Sequence, residues 1–409
     1  MSVSTYTAPQ PRTYSDSQPR ILFVTEAHFA YCNGQWCAPD GVNGDTQWGR
    51  YHLPESTNVV LARTKDEITT GDPITAMEVA PIPDYRGLKS AIMTLPKVAF
   101  RIFREVSKSD LVVARVPGPL SILAASYAKA LRKPYAIEIV GDIYDVLSQG
   151  AVPGAQRLAA VGRWITKRVC VSAAAGRYVT QQTLQKTYPT RNSPRIAISN
   201  VQINDALRRE TPLKLDSTSK RLKIIAVGSQ EVNYKGHDVA IEAIGLAKKR
   251  LPEWDIELTL VGGGRLHEQL RAKSESLGLS RYIHFTGQVP AEDVHEYLRN
   301  SDALIQPSLT EGLPRVVIEA MSQALPVCGS RAGGIPELVD EEFLVPPGDA
   351  QSLSSAIISM TNPVAYAHQS ERSLRESEAY ALSRLNELFA TWSSWLNELA
   401  HGRAPIKQN

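Results

Sequence analysis

The chain has 409 residues, 43% hydrophobic and 21% charged, with a formal net charge of +3. That length allows two or three domains of ordinary size, and the composition is that of a packed globular protein. The small net charge leaves no electrostatic footprint for nucleic acid, and no uncharged run approaches the roughly 20 apolar residues that a spanning helix needs.

Residues 1–19 are rich in Ser, Thr, Pro and Gln; they are expected to be a disordered tail, and they lack the apolar run of a signal peptide. Residues 20–25, RILFVT, form a first buried strand. Residues 26–52 are expected to be a long loop carrying His28, Phe29, Tyr31, Trp36, Asp40-Gly41, Asn43-Gly44, Trp48 and Tyr51. Long loops inside compact domains tend to be functional. Strands are expected at 58–62, 74–79, 110–115 and 134–140, the last ending in Gly141-Asp142. Between them lie helices at 88–106, kinked or split by Pro96, and at 120–131. Then come a helix at 156–167, a strand at 168–172, a helix at 174–188 and a strand at 195–199.

After a polar linker, 201–220, the alternation restarts. Strands are expected at 222–227, 256–261, 282–285, 303–305, 325–328 and 343–345, with helices at 237–249, 266–277 and 291–300 and another from Pro314. Strands alternating with helices predict parallel sheets covered on both faces. Two such runs predict an α/β protein of two Rossmann-like domains, 20–204 and 205–374, whose sheet edges face a central cleft. A cleft there is the default ligand site. The amphipathic stretch 382–399 places Leu385, Leu388, Trp392, Trp395 and Leu396 at helical spacing, and a segment at 375–400 is expected to pack back on the first domain.

Of four cysteines, Cys170 and Cys328 lie in expected strands and belong to the core. Cys32 and Cys37 have no second pair to complete a zinc site, which leaves a reactive or metal role open. So few cysteines fits a reducing compartment.

The chemistry concentrates in the second half. The strand at 303–305 runs into SLTEGLPRVVIEAM, a Gly-containing loop followed by a helix start at Pro314, where a missing N–H costs nothing. Backbone N–H groups from Gly312 through Leu313 and Pro314's neighbours suit an anion such as a diphosphate. Glu311 and Glu319 bracket that start; carboxylates suit the vicinal hydroxyls of a ribose or a sugar ring. A second strand ends at Gly228, with Ser229-Gln230 after it and Lys235-Gly236 before a helix. A lysine there is a point charge within reach of a phosphate. Gly262-Gly263-Gly264 turns the next strand into a helix.

Residues 222–340 resemble the nucleotide-sugar half of a glycosyltransferase family 4 enzyme. The features that match are the strand-Gly, Lys235-Gly236-x-Asp238, Gly262-Gly263-Gly264 and Phe285-x-Gly287. They continue with Glu311 and Glu319 within EGLPRVVIEAM, then Gly333-Gly334-x-Pro336-Glu337-Leu338. The first half resembles bacterial surface-polysaccharide transferases less strongly, through Gly141-Asp142 and YVTQQTLQKTYP at 178–189.

The resemblance implies a GT-B fold and a retaining, metal-independent hexosyltransferase that takes a nucleotide-diphosphate sugar and no cofactor. Its implied setting is exopolysaccharide biosynthesis in the cytoplasm or on the inner membrane face, with a glycan or lipid-linked acceptor. Lys235 would hold the diphosphate, Glu311 the sugar hydroxyls and Glu319 the ribose. Gly228, Ser229, Gly263 and the amides from Gly312 would line the donor, with Gly287, Gln288 and Val289 at the base. Asp142 is a further catalytic candidate; on the acceptor side it joins His28, Asp40, Gly41 and Arg115, and the loop at 26–52 is expected to choose the acceptor. Two departures stand out. The family's Arg after the strand-Gly is replaced by Ser229-Gln230, and its Gly-Gly acceptor loop is missing. A catalytically silent nucleotide-sugar-binding scaffold, and a GT-B epimerase or inverting transferase, are the competing readings.

Lys97, Arg101 and Arg104 share one helical face, beside Leu95, Val98 and Ile102, with no acid between 88 and 104. Such a face suits an anionic membrane surface. A second basic group, Arg157, Arg163, Lys167 and Arg168, lies beside Leu158, Val161, Trp164 and Ile165. It is expected to be a solvated face with its apolar side in the core.

Overall fold

A computed structural model describes residues 18–32, 34–39, 44–51, 53–64, 71–84, 87–148, 156–191, 193–201 and 203–405. The first sheet comprises β1 (Arg20–Cys32), β2 (Gln35–Ala38), β3 (Thr57–Thr64), β4 (Asp72–Pro73), β5 (Glu78–Pro83), β6 (Leu111–Val116), β7 (Tyr135–Ile139), β8 (Ala175–Tyr178) and β9 (Arg195–Ala197). Its parallel part runs β5-β3-β1-β6-β7-β8-β9. The short strands β2 and β4 form an antiparallel flap on the end of β1. The second sheet contains β10 (Arg221–Val227), β11 (Asp255–Val261), β12 (Ile283–Gly287), β13 (Ala303–Gln306), β14 (Val327–Ser330) and β15 (Leu344–Val345). It is parallel throughout, in the order β12-β11-β10-β13-β14-β15.

The helices are α1 (Asp45–Trp48), α2 (Gly87–Lys108), α3 (Pro119–Ala130), α4 (Ile143–Ser148), α5 (Ala159–Val171), α6 (Thr183–Thr187), α7 (His237–Arg250), α8 (His267–Ser276), α9 (Ala291–Arg299), α10 (Arg315–Ser322), α11 (Ala350–Ser359), α12 (Pro363–Ser377) and α13 (Leu382–Ala400). Pro96 lies inside α2, which stays one helix.

Period-two alternation explains the layers. Leu22 and Val24 of β1, with Val112, Ala114 and Val116 of β6, face a core built with α2, α3 and α5. Ile21 and Phe23, with Leu111 and Val113, face the opposite core, which α13 closes with Leu385, Phe389, Trp392 and Leu396. The chain passes between the two bodies twice, side by side. Ile203 bridges Ala381, Ile203 N donates to Tyr380 O at 3.1 Å, and Leu382 N donates to Ile203 O at 2.9 Å.

Several expectations fail in the first half. The stretch expected as a strand at 168–172 is the last turn of α5, whose inward side carries Val169 and Cys170. Cys170 is therefore a core residue of a helix. The stretch expected as a helix at 174–188 holds β8 and the short α6. The aromatic loop is largely core: Phe29, Trp48 and Tyr51 are buried beneath α13, so they offer no surface to a ligand. Cys32 and Cys37 form a disulfide across the β1–β2 hairpin, where free thiols of a reducing compartment were expected. Asp40 and Gly41, with residues 1–17, lie outside the described residues.

The outer helical layer also differs. Val98 and Ile102 are fully buried, whereas Leu95, Phe100 and Phe103 of α2 are exposed. Arg101 and Arg104 lean on the buried Glu105, at 3.5 and 3.7 Å, beside Arg20 at 3.1 Å. On and beside α5, Leu158, Val161, Trp164 and Ile165 are exposed rather than packed in the core.

Candidate active site

In a doubly wound sheet the ligand crevice lies where the strand order reverses, outside the carboxyl ends. In the second sheet that point is between β10 and β13. The β10 end delivers Gly228 and then Lys235-Gly236; the β13 end delivers Pro307 and the loop to Glu311. Gly236 has φ +70°, and a Cβ there would stand 2.1 Å from Pro307 O, so only glycine lets the two loops touch. Leu309 N donates to Tyr234 O at 2.7 Å, fastening one loop to the other. Lys235 Nζ consequently reaches both oxygens of Glu311, at 3.0 and 2.8 Å, with both side chains mostly buried. The Lys235 stem passes over Gly228, where a Cβ would lie 2.9 Å from Lys235 Cγ.

A second clasp holds Glu311 from the other side. Gly334 N donates to Gly312 O at 2.7 Å. Gly333 has φ +53°, and a Cβ on it would stand 1.6 Å from Glu311 O. The pair of glycines at 333–334 thus exists so that backbone can press on backbone. Gly312 is exposed and faces Val140 O of the first body across 3.7 Å from a built Cβ. Leu313 packs against cores of both bodies. Pro314 is the N-cap of α10, one residue before the helix begins. Glu319 sits about one turn into α10, 4.0 Å from Arg315, and burial raises its carboxyl above the usual range.

The triple glycine joins the neighbouring strand ends. Gly228 N donates to Val261 O at 2.9 Å, Gly262 N to Gly287 O at 3.0 Å, and Gln230 N to Gly263 O at 2.9 Å. A Cβ on Gly263 would lie 3.1 Å from Gln288 N. Gly287 has φ +70° with open space beside it, Gln288 is exposed, and Val289 packs on the second core. Ser229 is exposed, its Oγ accepting from Glu231 N at 3.3 Å, while buried Gln230 pairs with His267 at 2.8 Å. Behind Lys235, buried His237 has Nε2 3.2 Å from Gly228 O. A carbonyl only accepts, so Nε2 carries the proton. Burial pushes this imidazole down to about 4.

The first-body candidates are placed differently. Asp142 at the end of β7 is held by Arg163 (Nε at 3.2 Å) and the Tyr188 hydroxyl, and accepts from Tyr144 N at 2.8 Å. Its carboxylate is committed to anchoring α4 and α5. Arg115, Glu138 and Arg177 stand opposite one another on β6, β7 and β8. Glu138 receives Arg115 at 3.2 Å, Arg177 at 3.1 Å, Tyr51 at 2.5 Å and the Trp392 indole N–H at 3.1 Å. Burial alone would raise the Glu138 carboxyl, but Arg177 and Arg115 outweigh it and hold it at about 2. Arg115 therefore faces α13, not the cleft. His28 lies on β1, with Nε2 3.2 Å from Asp84 Oδ1.

Three residues that the sequence gives no role of their own stand at this site or beside it. Glu26 lies within β1, accepts from Leu120 N at 2.8 Å, and has its carboxyl raised by burial. Its place directly after RILFVT was the available signal. Arg315, at the first helical position after Pro314, presents a cation beside Glu319. Glu337 reaches into the first body; nothing local in the sequence marks that contact. Among the described residues no group of three or more His, Cys, Asp or Glu forms a metal-binding cluster.

Two Rossmann-like bodies with a crevice of this kind define the GT-B architecture of glycosyltransferases, and known structures share it. Anabaena HepE in complex with UDP superposes with a TM-score of 0.63 at 17% identity, over 92% of this chain and 99% of that one. WaaG, a glycosyltransferase involved in lipopolysaccharide biosynthesis, gives 0.62 at 18% identity, over 91% of this chain and 99% of that one. In sequence, residues 221–362 match the family described as glycosyl transferases group 1. Protein CapJ of Staphylococcus aureus is 30% identical over 316 residues, 76% of this chain and 78% of that protein. The amylovoran biosynthesis glycosyltransferase AmsK of Erwinia amylovora is 32% identical over 179 residues, 42% of each chain. The chain belongs to the group 1 glycosyl transferases.

Proposed function

We propose that the chain is a retaining glycosyltransferase that moves a hexose-type sugar from a nucleotide-diphosphate sugar to a lipid-linked glycan acceptor in polysaccharide assembly. One observation carries the reading: Lys235 and Glu311 meet over Gly228 at the point where the sheet order reverses. A cation for the diphosphate and a carboxylate for sugar hydroxyls are thereby held within hydrogen-bond reach of each other. The amylovoran biosynthesis glycosyltransferase AmsK supports this setting, and the UDP-glucose complex of HepE supports this choice of donor.

In the reaction the bond from the anomeric carbon to the diphosphate oxygen breaks, and the acceptor hydroxyl enters on the same face. The leaving diphosphate takes the hydroxyl proton. Lys235 leaves Glu311 for the diphosphate, and together with the amides at the start of α10 it offsets the developing charge, with no metal ion or cofactor required. Glu311, released, accepts sugar hydroxyls. Glu319 accepts from the ribose, and the turn at Gly287, Gln288 and Val289 meets the base.

The acceptor end of the reading rests on the outer layer of the first body. The helices α2, α3 and α5 share one core, so their outer sides look the same way. Phe100 is 67% and Trp164 58% exposed there, beside Lys97, Arg157, Lys167 and Arg168. Exposed aromatic and basic side chains together fit an anionic membrane surface. Among the described residues no helix is long and apolar enough to cross a membrane; the proposed contact is docking of this face on the membrane surface.

A thermal-shift screen against UDP-, GDP- and ADP-sugars identifies the donor. With it, Lys235→Ala and Glu311→Ala each abolish transfer while still folding; wild-type turnover in both would overturn the site.

A further inference from the structure

Glu337 lies in the second body, at the end of the turn Ile335–Glu337. Its carboxylate accepts from three backbone N–H groups of the first body: Gln181 at 2.5 Å, Gln182 at 3.1 Å and Thr183 at 2.5 Å. Gln182 and Thr183 carry orphan donors at the start of α6, whose N-cap Gln182 makes no side-chain cap of its own, and Gln181 is the residue before them. The next N–H, of Leu184, is taken by Thr180 at 3.0 Å. The cap of a first-body helix is thus supplied by the other body.

The same short segment holds the main chain at Glu311 and Gly312. Four residues before Glu337, Gly333 presses on Glu311 O, and Gly334 N binds Gly312 O. Between them Ile335 is fully buried, packed so closely that a Cβ on Gly329 would stand 2.6 Å from Ile335 Cγ2. Leu338 and Val339 are buried beyond it, and Arg372 donates to Leu338 O at 2.8 Å. Residues 333–339 are therefore a packed connection, with the Glu311 backbone at one end and the first body at the other.

We infer that Glu337 is a positioning residue: it makes the placement of the Glu311 loop depend on contact between the two bodies. When the bodies part, the three N–H bonds break and the clasp on Glu311 loses its outer support. When they meet, the clasp is seated and Lys235 and Glu311 stand ready for a diphosphate. Coupling of this kind is reciprocal, so a ligand at the donor loop also tightens the contact at α6. The inference rests on the donor-site reading only for the identity of that ligand.

The test is amide hydrogen exchange of the full chain, with and without saturating UDP, in the wild type, Glu337→Ala and Glu337→Gln. Glu341→Ala, which removes only an exposed partner of Arg331, is the control. Without UDP, Glu337→Ala should speed exchange at 181–187 and also at 309–315, by about 5-fold or more, the lower end of ordinary couplings. Glu337→Gln, which keeps one acceptor oxygen, should recover part of both. UDP should slow exchange at 181–187 in the wild type and fail to do so in Glu337→Ala. Faster exchange at 181–187 alone, or no change at either segment, overturns the inference. If Glu337→Ala melts globally, the Glu337→Gln and control comparison decides. If UDP does not bind the wild type, GDP and ADP take its place in the same comparison; failure of all three to bind overturns the donor reading instead, and the exchange rates without nucleotide then decide the coupling by themselves.

Discussion

Replacing Gly333 by Ala tests the clasp on the donor loop directly. The new Cβ would stand 1.6 Å from Glu311 O and 2.5 Å from its carbon. Contacts under 3.0 Å are not tolerated, so the Glu311 backbone must retreat by at least 3.0 − 1.6 = 1.4 Å. Its obstacle is main chain, which cannot swing aside as a side-chain tip does. A misplacement of about 1 Å at a reacting group can cost roughly 100-fold in rate, and kcat/KM for transfer is expected to fall by about that factor. The left-handed φ adds about 1–2 kcal/mol of strain, and each kcal/mol lowers the melting temperature by about 2–4 °C for a domain of this size. Gly278→Ala separates the two effects: φ is +71° with nothing within 4 Å, so it bears the strain without the collision. Initial-rate assays and thermal melts of both variants read the outcome. If Gly333→Ala turns over as fast as Gly278→Ala, the clasp does not set the Glu311 position.

Removing the carboxylate of Glu138 leaves Arg115 and Arg177 buried without a counter-charge, and Glu138→Ala should cost about 3–5 kcal/mol in urea unfolding while donor binding by the folded fraction is retained; a cost below about 1 kcal/mol would contradict the network. His237 binds its proton in the unfolded chain near pH 6.5 but in the folded chain only near pH 4. Its contribution is therefore complete above about pH 6.5 and lost as pH falls toward 4, by roughly 3 kcal/mol. His237→Asn should flatten the stability curve across that window, and an unchanged slope would assign the pH dependence elsewhere. Neutralising Lys97, Arg101 and Arg104 should weaken sedimentation with anionic vesicles. Phe100→Ser with Trp164→Ser should weaken it by about tenfold or more, given about 1.5–3 kcal/mol for burying a large apolar side chain. Binding unchanged in both variants would refute the membrane face.

The second body was legible almost strand by strand. β13 and β14 are buried throughout, so they stand as apolar runs, and β11 leads into Gly262, whose φ of +132° and 2.1 Å from a Cβ to Gly228 O leave no other residue possible. The helices α11 and α12 went unread. The first body was harder because its information is not local. AGRY does not look like a buried strand until Arg177 finds Glu138 on β7 and Asn200 beyond β9. The end of α5 looked like a strand because Val169, Cys170 and Val171 are apolar in sequence while only one side of the helix packs. Trp48 and Tyr51 looked like ligand aromatics because their cover, Phe389 and Trp392, arrives at the far end of the chain. The site itself divides likewise. Lys235 and Glu311 were readable from their turns, whereas Arg115 and Asp142, equally polar and equally near strand ends, are bound to their own body.

That late cover has a consequence for how the protein comes into being. The chain crosses at Ile203 and returns at Ala381, and the indole of Trp392 on the returning helix is one of the groups that satisfies Glu138. During synthesis the first body emerges first but waits, with one side of its sheet open and a charge cluster unsealed. The second body, contiguous in sequence from Val201 to Tyr380, has its core residues in hand before α13 is made. Domains generally fold in the order they are made; here the half built around Lys235 and Glu311 has its core segments complete before the half that left the ribosome ahead of it receives its cover from α13.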